Sequence, residues 1–304
     1  MRLILHYIRE YIQELNWRIF VPASLFMALA IFFNYYFHLS HRIRGLEQAL
    51  QFTAWFVIFL AVFSVGYGLQ AYFKKSQLFH NRQFVFFLLL APALFAWKMG
   101  ASFELSLSTD TSQNAYWNQV IYWPLKLMVV TLVLVVVWRL YDRQQPFYGF
   151  STHHFRAQPY AWMLLLMVPL VAAASTQPDF LMTYPKLKNI SQLTQHQEWY
   201  HLLLYELSYG ADFFTIELFF RGFLILAFVK WVGKDAILPM ALFYCTIHFG
   251  KPLGECVSSF FGGLLLGIIT YHTQTIWGGL MVHLGIAWLM ELGGYLGNLY
   301  RVSL

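Results

Sequence analysis

Nine stretches of the chain, near 19–38, 52–73, 84–101, 119–138, 159–175, 200–229, 236–249, 255–272 and 276–297, are almost continuously apolar. Most approach the roughly 20 residues that an α-helix needs to cross the hydrocarbon core of a bilayer. Backbone N–H and C=O groups in lipid must be satisfied within the segment, so such stretches fold as helices. The expected fold class is therefore all-α, a polytopic membrane helix bundle of about eight to nine transmembrane helices. The composition agrees, because 59% of the residues are hydrophobic and only 11% are charged, against about a quarter charged in a soluble domain. The stretch at 236–249 is too short to cross without tilt or help from its neighbours. Pro92 interrupts one segment, and Pro124 and Lys126 stand near the start of another, where a lysine can snorkel to the interface.

The charges between these segments predict an orientation. The connections 74–82 (Lys74, Lys75, Arg82) and 139–156 (Arg139, Arg143, Arg156) are basic, whereas 102–118 carries Glu104 and Asp110 and no Lys or Arg. The positive-inside rule then places the N-terminus, 74–82, 139–156 and 230–235 in the cytoplasm, with the plasma membrane as the expected location. Arg42 and Arg44, in the connection 39–51, fall on the predicted outer side and run against this pattern. The formal charge of +6 is spread through these connections and marks no nucleic-acid partner. Residues 1–18 are amphipathic and too charged for a signal-peptide core, so they are expected to lie along the membrane surface. Membrane lipids are the expected partners of such a chain. Cys245 and Cys256 read as two buried thiols with no metal-type spacing.

Polar residues are unevenly distributed. The first five segments are mostly Phe, Leu, Val and Ala, whereas the last four carry Glu206, Asp212, Glu217, Arg221, His248, Glu255, His272, His283 and Glu291. This predicts an N-terminal set of membrane helices over 1–175 and a chemically loaded bundle over 199–297. The join falls near the polar stretch 176–198.

An ionisable side chain inside a bilayer costs a few kcal/mol on insertion scales and is by default a functional candidate. Three stretches stand out. In "TIELFFRGFL", Glu217 and Arg221 are one helical turn apart on one face, which suits a charge-assisted pair. A helix-locking ion pair is the plain alternative. In "FYCTIHFGKPLGE", His248 ends a short apolar helix before Gly250 and Pro252, and Glu255 follows the break. In "WGGLMVHLGIAWLMELGG", His283 sits mid-helix near Gly278, Gly279 and Gly285, with Glu291 two turns on. Taken together, two His and a carboxylate activate water in one of two ways. Glu217, His248 and His283 could hold a divalent metal, or they could work without any cofactor as general base, acid and oxyanion donor. No H-E-x-x-H, G-x-S-x-G, Walker or dinucleotide motif occurs.

The order of these stretches resembles the CPBP (CAAX protease and bacteriocin-processing, also called Abi) intramembrane proteases, which are similar to the eukaryotic Ras-converting CAAX endopeptidase. The family pattern E-E-x-x-x-R corresponds to Ile216-Glu217-Leu218-Phe219-Phe220-Arg221. The pattern F-x-x-x-H corresponds to Tyr244-Cys245-Thr246-Ile247-His248, and H-x-x-x-Asn to His283-Leu284-Gly285-Ile286-Ala287. The resemblance covers about 200–297. It implies a helical membrane hydrolase whose partner is a peptide or membrane-protein substrate, and which cleaves peptide bonds with glutamate- and histidine-activated water. It also implies roles for Glu217, for Arg221 as orienter of its helix, for His248 at the water and for His283 at the oxyanion. Ile216 replaces the first glutamate of the family pattern and Ala287 its asparagine. Asp212, Glu255 and Glu291 are the acids that can compensate. A catalytically inactive scaffold, immunity or partner protein on the same helices is the second expectation, which Ile216 and Ala287 favour. A proton-coupled transporter is the third, although no inverted repeat supports it.

Overall fold

The computed structural model describes residues 2–153, 155–188 and 198–302. No strand occurs among them. The helices are α1 (Arg2–Gln13), α2 (Trp17–Tyr36), α3 (Leu39–Arg44), α4 (Gln48–Lys74), α5 (Arg82–Gly100), α6 (Thr111–Tyr141), α7 (Ala157–Ala174) and α8 (Pro178–Thr183). After residues 189–197, a part of the expected join that lies outside the described residues, come α9 (Trp199–Ile216), a π-helix (Glu217–Ala227), α10 (Val229–Val232), α11 (Ile237–Thr246), α12 (Leu253–Thr273) and α13 (Trp277–Val302).

Among the described residues seven helices, α2, α4, α5, α6, α7, α12 and α13, are long and apolar enough to cross a membrane. Their lipid-type surface is visible in the large apolar side chains they leave exposed, such as Leu25, Leu29 and Phe32 on α2, Leu132 and Val136 on α6, and Leu165, Leu166 and Leu170 on α7. The chain is an integral membrane protein with a polytopic helical fold. The apolar stretches 200–229 and 236–249 take different forms. The first divides into α9 and the π-helix, and the second is the ten-residue α11, every residue of which is buried.

The chain forms two compact units, each assembled from separated stretches. The first comprises 1–102, 142–151 and 219–275, and the second 103–141, 152–218 and 276–304. The boundary in the first motif-bearing stretch falls inside the π-helix, between Leu218 and Phe219.

In the first unit α11 is the central rod, packed by α2, α4 and α12. Its neighbours approach closely because they are small at the contact: a side chain at Gly66 would come within 2.9 Å of Pro239, and one at Gly263 within 3.1 Å of Tyr244. The other side of α11 and the π-helix are surrounded by rings, among them Phe59, Phe63, Phe95, Phe219, Phe220 and Phe243, in mostly tilted or edge-to-face pairs 4.8–6.0 Å apart. The stretch 142–151 belongs here through Asp142. Its buried carboxylate accepts from Tyr148 Oη at 2.8 Å and pairs with Lys230 Nζ at 2.6 Å. Burial, and then the neighbouring Asp142, push the Tyr148 phenol far above its usual range.

In the second unit α6 packs on α9, and α13 packs on α7, α8 and α9. Lys126 is not at the start of its helix, because α6 extends back to Thr111. It is buried midway along α6, where its ammonium bonds Tyr122 Oη and lies 3.8 Å from the centre of that ring. The phenol and ring face thus take over the solvation that snorkelling was expected to supply.

Candidate active site

In the second unit, Glu217 directly follows α9 as the first residue of the π-helix, and α13 delivers His283. Glu217 Oε1 and His283 Nδ1 are 3.0 Å apart. The Glu217 side chain is fully buried and that of His283 is 13% exposed. With the carboxylate accepting, Nδ1 carries the hydrogen and the neutral ring presents its lone pair at Nε2. The imidazole is further fixed edge-to-face on Phe213, 4.9 Å between ring centres.

The approach of α9 to α13 depends on glycine. A Cβ at Gly279 would lie 3.1 Å from Glu217 Cδ and would collide with Oε2. A Cβ at Gly278 would collide with the Tyr160 ring from α7. The Gly278–Gly279 pair therefore lets one ring and one carboxylate lie directly on the α13 backbone.

The first unit holds the other two motif residues, both against Tyr244. The Arg221 guanidinium is fully buried and its carbon lies 4.3 Å from the centre of the Tyr244 ring, a desolvated cation–π contact worth about 2 kcal/mol. His248 stacks edge-on to the same ring at 4.8 Å, and its Nδ1 donates to the Tyr244 carbonyl at 3.0 Å. A carbonyl can only accept, so the neutral tautomer of His248 also carries its lone pair at Nε2.

Arg221 and Glu217 stand on the same π-helix, whose i→i+5 bonding widens the turn; stretches of this kind recur at functional sites. The π-helix was not legible in the sequence, where the four-residue spacing reads as α-helical.

The compensating acids have local roles. Glu291 is buried and accepts from the backbone N–H groups of Lys186 (2.8 Å) and Leu187 (3.2 Å). Glu255 pairs with Lys251 at 3.3 Å across the first turn of α12. Asp212 is half-buried on α9. At the two departures from the family pattern, Ile216 is the buried last residue of α9, and Ala287 is 3% exposed and packs with Tyr209 and Phe213. Among the described residues no three or more His, Cys, Asp or Glu side chains are grouped to hold a metal ion. The two cysteines are free thiols, with Cys245 Sγ 3.3 Å from the Cys256 carbonyl.

Three groups escaped the sequence reading. Tyr244 entered it only as the aromatic of a motif. Gly279 was noted only as one of several small residues. Asn34, Tyr35 and Ser40, which hold the residues after His248, come from a region that carries no motif.

Residues 199–289 match the family model described as Type II CAAX prenyl endopeptidase Rce1-like. The match bears out the resemblance read from the three motifs and covers less than a third of the chain. No curated protein and no solved structure matches it.

Proposed function

We propose that this chain is an intramembrane endopeptidase that hydrolyses a peptide bond with water activated by the Glu217–His283 couple. The carrying observation is the 3.0 Å contact between a fully buried carboxyl group and a partly accessible imidazole. His283 Nε2 takes the proton from the attacking water as the new C–O bond forms. Glu217, at Nδ1, orients the ring and stabilises the imidazolium, as the carboxylate does in hydrolytic triads. The proton then passes to the leaving amine as the C–N bond breaks. Arg221 carries the role that the family motif implies for it, as the anchor of the π-helix, and His248 takes the oxyanion role that the motif gives to His283. This exchanges the two histidines' roles relative to the motif carry-over, and the reason is the carboxyl partner: His283 has one at Nδ1, whereas His248 donates to a carbonyl.

The substrate class is a membrane-embedded or lipid-modified peptide, the group to which prenylated C-terminal sequences belong. The matched family model supports this, together with burial of the couple in a helical membrane protein. The test is cleavage of a prenylated peptide and of unmodified transmembrane peptides by purified protein in lipid. Cleavage by wild type and its loss in folded Glu217→Gln and His283→Ala support the proposal. Full activity in both variants would sink it.

A second reading, a non-hydrolytic scaffold, draws on Ala287. An alanine packed against Tyr209 and Phe213 offers no donor for an oxyanion. Under that reading the same variants change only thermal stability.

A further inference from the structure

The residues that follow His248 are gripped by the far end of α2. Asn34, 2% exposed, donates from Nδ2 to the Phe249 carbonyl at 2.8 Å. Ser40 Oγ donates to the same oxygen at 2.9 Å, so both lone pairs of that carbonyl are used. Asn34 Oδ1 in turn accepts from Ser40 N at 3.1 Å, which ties the two donors to each other. One residue further on in α2, Tyr35 Oη donates to the Lys251 carbonyl at 2.6 Å. The chain reverses between α2 and α3 through His38 in the left-handed region, φ 52°, and this brings Ser40 back towards Asn34. The guanidinium of Arg44 fills the space that a side chain at Gly250 would take.

The gripped segment needs such partners. It lies between α11, which ends at Thr246, and α12, which starts at Leu253, so the Phe249 and Lys251 carbonyls fall outside both helices and their i→i+4 bonding. A buried carbonyl without a donor costs about 1–3 kcal/mol, which favours water entry and alternative turns. With three side-chain donors on Phe249 and Lys251, and with His248 Nδ1 on Tyr244 O, the backbone on both sides of His248 is held from two directions.

We infer that Asn34, Ser40 and Tyr35 form a positioning clamp that fixes His248 for its chemical role. They act through the Phe249 and Lys251 carbonyls without touching substrate. The inference rests on the reading of His248 as a catalytic group. It assigns the N-terminal helices a part in the site, although these helices lie outside the matched segment 199–289.

The test uses the full chain in lipid nanodiscs, labelled with ¹⁵N-histidine, with Asn34→Leu, Ser40→Ala and Ser40→Thr. Peptide cleavage and the histidine ring resonances are followed together. The clamp predicts that Asn34→Leu shifts or broadens the His248 resonances and leaves those of His283 in place. It also predicts that kcat falls about 10–100-fold at little-changed KM, the size expected for displacement of a reacting group. Ser40→Ala gives a smaller change in the same direction, and Ser40→Thr, which keeps the hydroxyl, restores both readouts. If wild type cleaves nothing and the His248 resonances still respond, the protease reading fails and the clamp stands. Unchanged His248 resonances in folded Asn34→Leu and Ser40→Ala overturn the clamp, whatever the activity.

Discussion

At the scale of single residues, the candidate site turns on what surrounds one carboxyl group. Glu217 is fully buried, and His283 Nδ1 lies 3.0 Å from it. Removing the imidazole leaves a polar group in a dry interior with one partner fewer, so His283→Ala lowers stability by about 1–3 kcal/mol in reversible denaturation. Glu217→Gln keeps an oxygen acceptor for Nδ1–H, and its stability stays within about 1 kcal/mol of wild type. Gly279→Ala is the sharper probe. Its methyl group collides with the far end of the flexible Glu217 side chain, so the protein folds but the carboxyl group turns away from His283. Cleavage is expected to fall by about 100-fold with a small change in melting temperature. Wild-type kinetics in Gly279→Ala would show that the close approach has no part in catalysis.

At the scale of elements, the apolar stretches translated closely into helices because about 20 uninterrupted apolar residues have few other ways to satisfy their backbone in lipid. The candidate residues Glu217, Arg221, His248 and His283 were legible for the same reason, since polar groups are conspicuous against such a background. Other features were not. In the π-helix Phe219, Phe220 and Phe223 pack among rings of α5 and α11, long-range contacts that the spacing does not show. Lys126 reads as interfacial because the apolar stretch begins near 119, whereas α6 begins at Thr111 and buries it. Nothing in the spacing of Asn34 and Ser40 points to Phe249, more than 200 residues away. The short helix α10, which follows the π-helix, yields a prediction of its own. Lys230 Nζ pairs with the buried Asp142 carboxylate, which also accepts from the hydroxyl of Tyr148, a residue with a φ of 32°. Lys230→Met leaves that carboxylate with one donor fewer, and the protein loses about 1–3 kcal/mol of stability as read by thermal unfolding in lipid. No change would mean that the 142–151 stretch is held by its aromatic contacts alone.

At the scale of the whole molecule, seven helices among the described residues have the length and apolarity to span a bilayer, and the motif-bearing segment 199–289 matches the family model of Rce1-like type II CAAX prenyl endopeptidases. The basic connections support an orientation with the N-terminus in the cytoplasm. Arg44, one of the two arginines that oppose it, has a local reason to be where it is, because its guanidinium lies against Gly250. Single cysteines placed in 76–81 and in 102–110 of a variant lacking Cys245 and Cys256 test the orientation in intact cells. A membrane-impermeant thiol reagent is expected to label the second set and spare the first. The reverse pattern would invert the topology.

The central claim is that the Glu217–His283 couple activates water for peptide hydrolysis. Its most direct test is cleavage of a prenylated peptide by purified protein in H₂¹⁸O, followed by mass spectrometry of the new carboxyl group. Wild type is expected to incorporate ¹⁸O at that carboxyl, and folded Glu217→Gln to form the same product about 10²–10⁴-fold more slowly. Product formation at an equal rate in both proteins would contradict the account.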